Sequence, residues 1–219
     1  ARAFTPAMQA VQLLTHGSPG QVRFGAVPDP IPAPDEVLLR VHACGVNRLD
    51  LWFEAGNLPI PLPLPCIQGG EIAGEVLALG SDVEQWRVGD RVAVQSNLFC
   101  GQCEFCRRGE ESICLHSLLL GVQRDGGFAE RIAVSARALV ALPENVSYET
   151  SAALTLAGST AMHMLTDRAE VRPGDWVLVV GASSGVGSAA IQIARQFGGR
   201  VIATGSTPAK RELATKLGA

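Results

Sequence analysis

The stretch from Asp175 to Ser206, DWVLVVGASSGVGSAAIQIARQFGGRVIATGS, limits the fold of this chain more than any other. DWVLVV is an unbroken apolar run, as expected of a strand buried on both faces of a parallel sheet. A Gly-rich turn follows, then SAAIQIARQF with helical spacing until Gly198 and Gly199 stop it, then a second apolar run. Strand, turn, helix and strand in that order predict a βαβ unit of a dinucleotide-binding fold. The turn residues Ala182, Ser184, Gly185, Val186 and Gly187 are mostly small. They let a phosphate approach the backbone at a helix N-terminus, where free N–H groups and the helix dipole attract anions. A Gly-rich turn alone is weak evidence, and the strand before and helix after it make it strong. A doubly wound domain has two such halves and one is present, so the sequence reads as a fragment of something longer.

Six cysteines could form disulfides, but a chain of 219 residues needs none, and four of the six fall in CGQCEFCRRGEESIC. Two-residue gaps let the thiolates of Cys100, Cys103 and Cys106 converge on one tetrahedral ion, and Cys114 closes the shell. Four sulfurs leave no position for a substrate, so one structural zinc per chain is expected, with no catalytic part. The formal charge of −3 and the lack of a dense Lys/Arg run give no electrostatic footprint for nucleic acid. No run approaches the roughly 18 apolar residues of a membrane span, so a soluble, cytoplasmic protein is expected. ARAFTPA lacks the pattern of a secretory signal; Met8 looks like the natural start, and the residues before it read as an appended or frayed extension.

The segments MQAVQLL, EVLLRVHA, EIAGEVLALG, DRVAVQ, GFAERIAV and ALVAL read as short strands between Gly and Pro, with one short helix, NRLDLWFEA, and a Pro-rich extended loop, IPLPLPC. From Tyr148 onward YETSAALTLAGSTAMHMLTDRA turns helical. The expected architecture is α/β plus a β-rich domain. Residues 1–147 form the β domain with the zinc lobe at about 97–116, and residues 148–219 form an incomplete dinucleotide-binding domain.

The cysteine lobe, the β-rich first part and the βαβ unit, in that order, resemble the medium-chain dehydrogenase/reductase superfamily from Met8 to the end. The resemblance implies a GroES-like β domain followed by the first half of a Rossmann domain. GVNRLDLW, LTLAGSTA and GASSGVGSAAIQIAR look most like the quinone oxidoreductase-like branch, and the lobe looks like the zinc alcohol dehydrogenases. In those dehydrogenases a Cys, a His and a later Cys hold the catalytic zinc; the matching positions here are Cys44, Gly70 and Leu156. Glycine and leucine cannot coordinate, and a catalytic zinc needs three protein ligands. Glu71, Asp50 and Cys66 are the candidates for rescue.

Without a Lewis acid, simple alcohol oxidation gives way to an easier acceptor. The resemblance implies hydride transfer from NADPH to a quinone or an α,β-unsaturated carbonyl, whose negative charge a few hydrogen-bond donors can support. Asn47 is the candidate donor to the acceptor oxygen or the nicotinamide ribose, against a plain helix cap. Asp50 is expected to orient it, against ordinary helix-dipole complementarity. Trp52 either walls the substrate pocket or packs in the core, and His163 reads as a packed or edge histidine. Thr160 lies in the segment that meets the nicotinamide in relatives. After the second strand stand Gly205, Ser206, Lys210 and Arg211 instead of an acid, which suits the 2′-phosphate of NADPH; the alternative is a solvated first helical turn beginning at Pro208. Ser184 replaces the usual second glycine, so the pyrophosphate is expected to lie slightly farther from the backbone. GASSGVG also resembles the short-chain dehydrogenases, but their Tyr-x-x-x-Lys pair does not follow it. The partner is a small molecule, and relatives imply a homodimer in a full-length parent. A zinc alcohol dehydrogenase with substituted ligands and a nucleotide-binding module without turnover are the alternatives.

Overall fold

The computed structural model describes residues 7–60 and 62–219, so residues 1–6 of the expected N-terminal extension and Pro61 of the Pro-rich loop lie outside the described residues. Two compact units are present, the first ending at Ala152 and the second running Ala153–Ala219.

The first unit is built from β1 (Ala7–Thr15), β2 (Gln21–Pro28), β3 (Glu36–Gly45), α1 (Arg48–Glu54), β4 (Cys66–Ile67), β5 (Glu71–Leu79), β6 (Arg91–Val94), β7 (Asn97–Leu98), β8 (Leu118–Leu119), β9 (Arg131–Ser135) and β10 (Leu139–Ala141). Antiparallel pairing gives a five-stranded sheet in the order β10-β6-β5-β3-β9 and a three-stranded sheet in the order β2-β1-β4. Alternation along the strands sends Val37, Leu39, Ile72, Val76, Val92, Val94, Ile132 and Val134 into one core. A second cluster, Leu13, Phe53, Cys66 and Val122, fastens α1 to the body. β2 was not expected, because its exposed Gln21–Phe24 stretch on a sheet edge has no buried face to set a pattern. The register of β3 with β5 sets Cys44 against Ile72 and Gly45 against Glu71, which brings the end of one strand to the start of the other.

The second unit contains α2 (Tyr148–Thr155) from its last turn, α3 (Ala157–His163), a π-helical turn at Met164–Arg168, β11 (Trp176–Val179), α4 (Gly185–Gln196), β12 (Arg200–Ala203) and α5 (Pro208–Lys216). β11 and β12 pair in parallel. Leu165, Val179, Ala182, Ile191, Ala194, Val201 and Ala214 pack into its core. Trp176, Leu178 and Ile202 remain exposed, consistent with parallel strands that are apolar on both faces. α4 starts at Gly185, three residues before the helical spacing begins, because the Ser184 hydroxyl caps it by accepting from the Gly187 N–H at 3.0 Å. Among the described residues no helix is long and apolar enough to cross a membrane.

Candidate functional site

Three places in the structure hold chemistry. The cysteine lobe lies between β7 and β8. The Sγ atoms of Cys100, Cys103, Cys106 and Cys114 all lie within 4.8 Å of one another. Separations of 3.9 Å (Cys100 to Cys106), 3.5 Å (Cys103 to Cys106) and 3.9 Å (Cys103 to Cys114) are too long for disulfides. A tetrahedron with sulfurs about 2.3 Å from zinc has edges of about 3.8 Å, so the shell fits the ion by geometry and by donor type. Backbone N–H groups prepare the ligands: Cys103 N–H donates to the Cys100 sulfur at 3.3 Å, and Cys100 N–H and His116 N–H both donate to the Cys114 sulfur at 3.3 Å. The N–H groups of Gln102 and Cys103 hold the Cys100 thiol down, and those of Cys106 and Leu115 bring Cys103 to about 6. All six cysteines are free, which excludes the disulfide alternative.

The second place lies where β3 runs into α1. Asn47 is the residue before the helix, with extended backbone (φ −123, ψ 156), and its N–H donates to Asp50 Oδ2 at 2.7 Å. Its side-chain Nδ2 is buried and has no hydrogen-bond partner among the described residues. A donor in that condition costs about 1–3 kcal/mol of unrecovered hydration, so the amide is held ready for an acceptor that the folded chain does not supply. Asp50 is 7% exposed. Burial pushes its carboxyl above the usual range, against the N–H groups of Asn47 and Gly69 that favour the anion. Gln68, buried and unforeseen in the sequence, donates from Nε2 to the Asp50 carbonyl at 2.7 Å and fixes the helix from below.

Cys44 is the penultimate residue of β3, with its sulfur against Gly69 and Gly127, where an added Cβ would stand 2.7 and 2.9 Å away. Burial first, then the negative charges of Asp50 and Glu71, push this thiol up to about 12, so it stays protonated near neutrality. Among the described residues, the four lobe cysteines are the one group of three or more His, Cys, Asp or Glu whose ligand atoms converge. Cys66 is no rescue ligand: it is 3% exposed, packs with Leu13, Phe53 and Val122, and donates to the Ile67 and Val122 carbonyls. Val46, Leu51 and Trp52 are exposed around Asn47, so Trp52 is a surface residue of α1 and not core.

The third place is the βαβ turn. An open pocket of about 410 Å³ is lined by Gly181, Ser183, Thr204, Gly205, Ser206 and Lys210. Thr204, which the sequence did not single out, ties the turn to the end of β12 by accepting from the Gly181 N–H at 3.2 Å on its hydroxyl. Gly187 is required by close approach, since a Cβ there would stand 2.5 Å from the Gly181 carbonyl oxygen. Ser184 holds the Gly187 N–H internally, leaving the first-turn N–H groups of Gly185 and Val186 for an anion. α5 does begin at Pro208, capped by Thr207. Its cations nonetheless turn back toward the end of β12: Lys210, which lines the pocket, reaches Ser206 Oγ with Nζ at 3.3 Å, and Arg211 Nη1 donates to the Gly205 carbonyl at 2.8 Å. Thr160 is exposed on α3 and does not line this pocket. His163 is a half-buried histidine with Nδ1 2.9 Å from Asp167 Oδ2.

Residues 33–144 match the family model described as the alcohol dehydrogenase GroES-like domain. An alcohol dehydrogenase of Schizosaccharomyces pombe is 38% identical over 206 residues, which is 94% of this chain and 59% of that protein. A crystal structure titled NAD-dependent alcohol dehydrogenase is 42% identical with a TM-score of 0.93, covering 97% of this chain and 62% of the other. A quinone oxidoreductase structure from Pseudomonas syringae is 32% identical with a TM-score of 0.80, covering 97% and 57%. The chain thus spans about three fifths of the length of these relatives.

Proposed function

This chain belongs to the medium-chain dehydrogenase/reductase superfamily, and from that premise we propose an NADPH-dependent oxidoreductase that delivers hydride to a quinone or an α,β-unsaturated carbonyl. The hydride goes to carbon, and the electron pair of the conjugated system moves onto oxygen, giving an enolate or phenolate that then takes a proton. The observation that carries this reading is the buried, unpartnered Asn47 Nδ2, a donor waiting for an oxygen that gains charge. It stands close in sequence to Cys44, while Gly70 and Leu156 occupy the positions that match the remaining zinc ligands of the alcohol dehydrogenases. Asp50 holds the backbone of Asn47.

The turn residues Ser184, Gly185, Val186 and Gly187 would receive the cofactor pyrophosphate, Ser206, Lys210 and Arg211 its 2′-phosphate, and Thr160 the nicotinamide end. The absence of an acid after β12 and the return of two cations over Gly205 and Ser206 favour NADPH over NADH. In the lobe, Cys100, Cys103, Cys106 and Cys114 would hold one zinc, which fastens the loop and takes no part in hydride transfer. Six free thiols suit the reducing cytoplasm.

A second reading, a zinc alcohol dehydrogenase with substituted ligands, is favoured by the electrostatic coupling of Cys44 with Asp50 and Glu71. Two measurements on the purified protein separate the readings. One zinc per chain and NADPH oxidation with enones or quinones support the reductase. Two zincs, with alcohol oxidation abolished by a chelator, would replace it with the dehydrogenase.

A further inference from the structure

The lobe receives a second support from outside its own loop. Ala136 and Ala138 are buried on either side of Arg137 in the short turn that joins β9 to β10. That turn is fixed to the body by hydrogen bonds from the Trp86 indole N–H to the Ala136 carbonyl at 3.0 Å, from the Ala136 N–H to the Asp35 carbonyl at 3.0 Å and from the Gln95 N–H to the Ala138 carbonyl at 2.8 Å. With its neighbours pointing inward, Arg137 points out, and its guanidinium lies on the backbone of Gly101, between the first two zinc-type ligands. Gly101 has φ +71, and a Cβ there would strike Arg137 Nη1. The missing side chain therefore makes the seat that the guanidinium fills. Arg137, Cys100, Gln102 and His116 line one pocket of about 440 Å³ at this edge of the lobe. Among the described residues no carboxylate or carbonyl takes a hydrogen bond from the Arg137 guanidinium.

An unpaired guanidinium seated on a loop of four cysteines has an evident electrostatic counterpart. Four thiolates on one divalent zinc leave a net charge of about −2, which a nearby fixed cation stabilises. We propose that Arg137 is a positioning residue of the metal lobe: it clamps the Cys100–Cys103 knuckle against the body and serves as counter-charge to the thiolate shell. This inference rests on the reading of the lobe as a zinc site. Loss of the guanidinium leaves all four sulfurs in place but frees the Gly101 peptide to move, which opens the shell to competing ligands. Partners outside the ligand shell of a metal site typically account for about 10–100-fold in metal affinity.

The test uses the purified protein under reducing conditions. Zinc per chain is counted by plasma mass spectrometry, and zinc transfer to pyridylazoresorcinol is followed by absorbance in wild type, Arg137→Ala, Arg137→Lys and Arg107→Ala. Arg107 is an exposed arginine of the lobe that does not line this pocket, so its removal makes the same change in charge without touching the seat. Transfer from Arg137→Ala is expected to be about tenfold faster or more, with Arg137→Lys intermediate because it keeps charge but not the planar fork, and Arg107→Ala near wild type. Thermal unfolding and circular dichroism matching wild type assign the effect to the lobe. Equal acceleration by Arg107→Ala would reduce the effect to bulk charge and overturn the proposal, as would Arg137→Ala transferring zinc at the wild-type rate. A wild-type protein that holds no zinc would overturn the zinc reading itself, and the role of Arg137 with it.

Discussion

Asn47→Ala separates catalysis from stability in a way that few substitutions do. The amide Nδ2 is buried and makes no hydrogen bond among the described residues, so its removal takes away a donor left without a partner. An orphan of this kind costs about 1–3 kcal/mol, and the contact from Asn47 N–H to Asp50 Oδ2 at 2.7 Å uses backbone and survives the change, whereas the reciprocal contact that the Asn47 side chain accepts from the Asp50 N–H is lost at a cost of about 1 kcal/mol. Stability should therefore be unchanged or raised. A gain of about 1 kcal/mol would lift the midpoint of thermal unfolding by about 2–4 °C in a chain of this size. Catalysis should move the other way. A donor aimed at a developing oxyanion contributes about 2.7–4 kcal/mol, and at about 1.36 kcal/mol per decade its loss lowers kcat/KM by roughly 100–900-fold. The assay is steady-state NADPH oxidation with an enone, paired with thermal melts of both proteins. Unchanged kcat/KM would refute the role of the amide. A fall in activity matched by several kcal/mol of lost stability would also refute the reasoning, because it would mean that Asn47 serves chiefly as a helix cap.

The remaining expectations follow from single contacts. Replacing Lys210 and Arg211 together by Ala should raise KM for NADPH about tenfold and leave KM for NADH nearly unchanged, since both cations turn toward Ser206 and Gly205; equal effects on the two cofactors would remove the 2′-phosphate assignment. Asp50 has a raised pKa through burial, so its protonation favours the folded state: it adds stability below the ordinary carboxylate value, and that increment fades as pH climbs through the raised one. Asp50→Asn should flatten stability across that window in urea titrations at several pH values, and an unaltered pH profile would contradict the assigned burial penalty. Phe53→Ala, at a fully buried position between Leu13, Cys66 and Val122, should cost about 3–5 kcal/mol in denaturant titrations and loosen α1; a loss below about 1 kcal/mol would mean that this cluster does not hold the helix.

Patterns confined to a few residues made much of the fold readable before any coordinates. Val-, Leu- and Ala-rich runs between Gly and Pro marked β3, β5 and β9 as strands, and β2 escaped because it is exposed along most of its length and has no buried face to set a pattern. The βαβ unit declared itself through an apolar strand, a small-residue turn and a helical period, and the lobe through cysteine spacing. The helix at Pro208 stood as the alternative to cations turned toward the end of β12, and the structure holds both, since α5 begins at Pro208 while Lys210 and Arg211 reach back to Ser206 and Gly205.

By itself, then, the sequence determined the elements that short-range chemistry dictates: the small-residue turn between an apolar strand and a helix, and the close spacing of the four lobe cysteines. Tertiary structure alone decided which distant groups meet. Gln68 reaches Asp50 across 18 positions, Thr204 reaches Gly181 across 23, and Arg137 finds its seat on Gly101 only because the turn between β9 and β10 lies beside the lobe. It also decided that Cys66 is core and that Asn47 Nδ2 is buried with no hydrogen-bond partner among the described residues. Spacing along a chain fixes what neighbours in sequence can do together. Hydration, register and packing, which depend on every element at once, fix what a side chain is left to do when folding is complete.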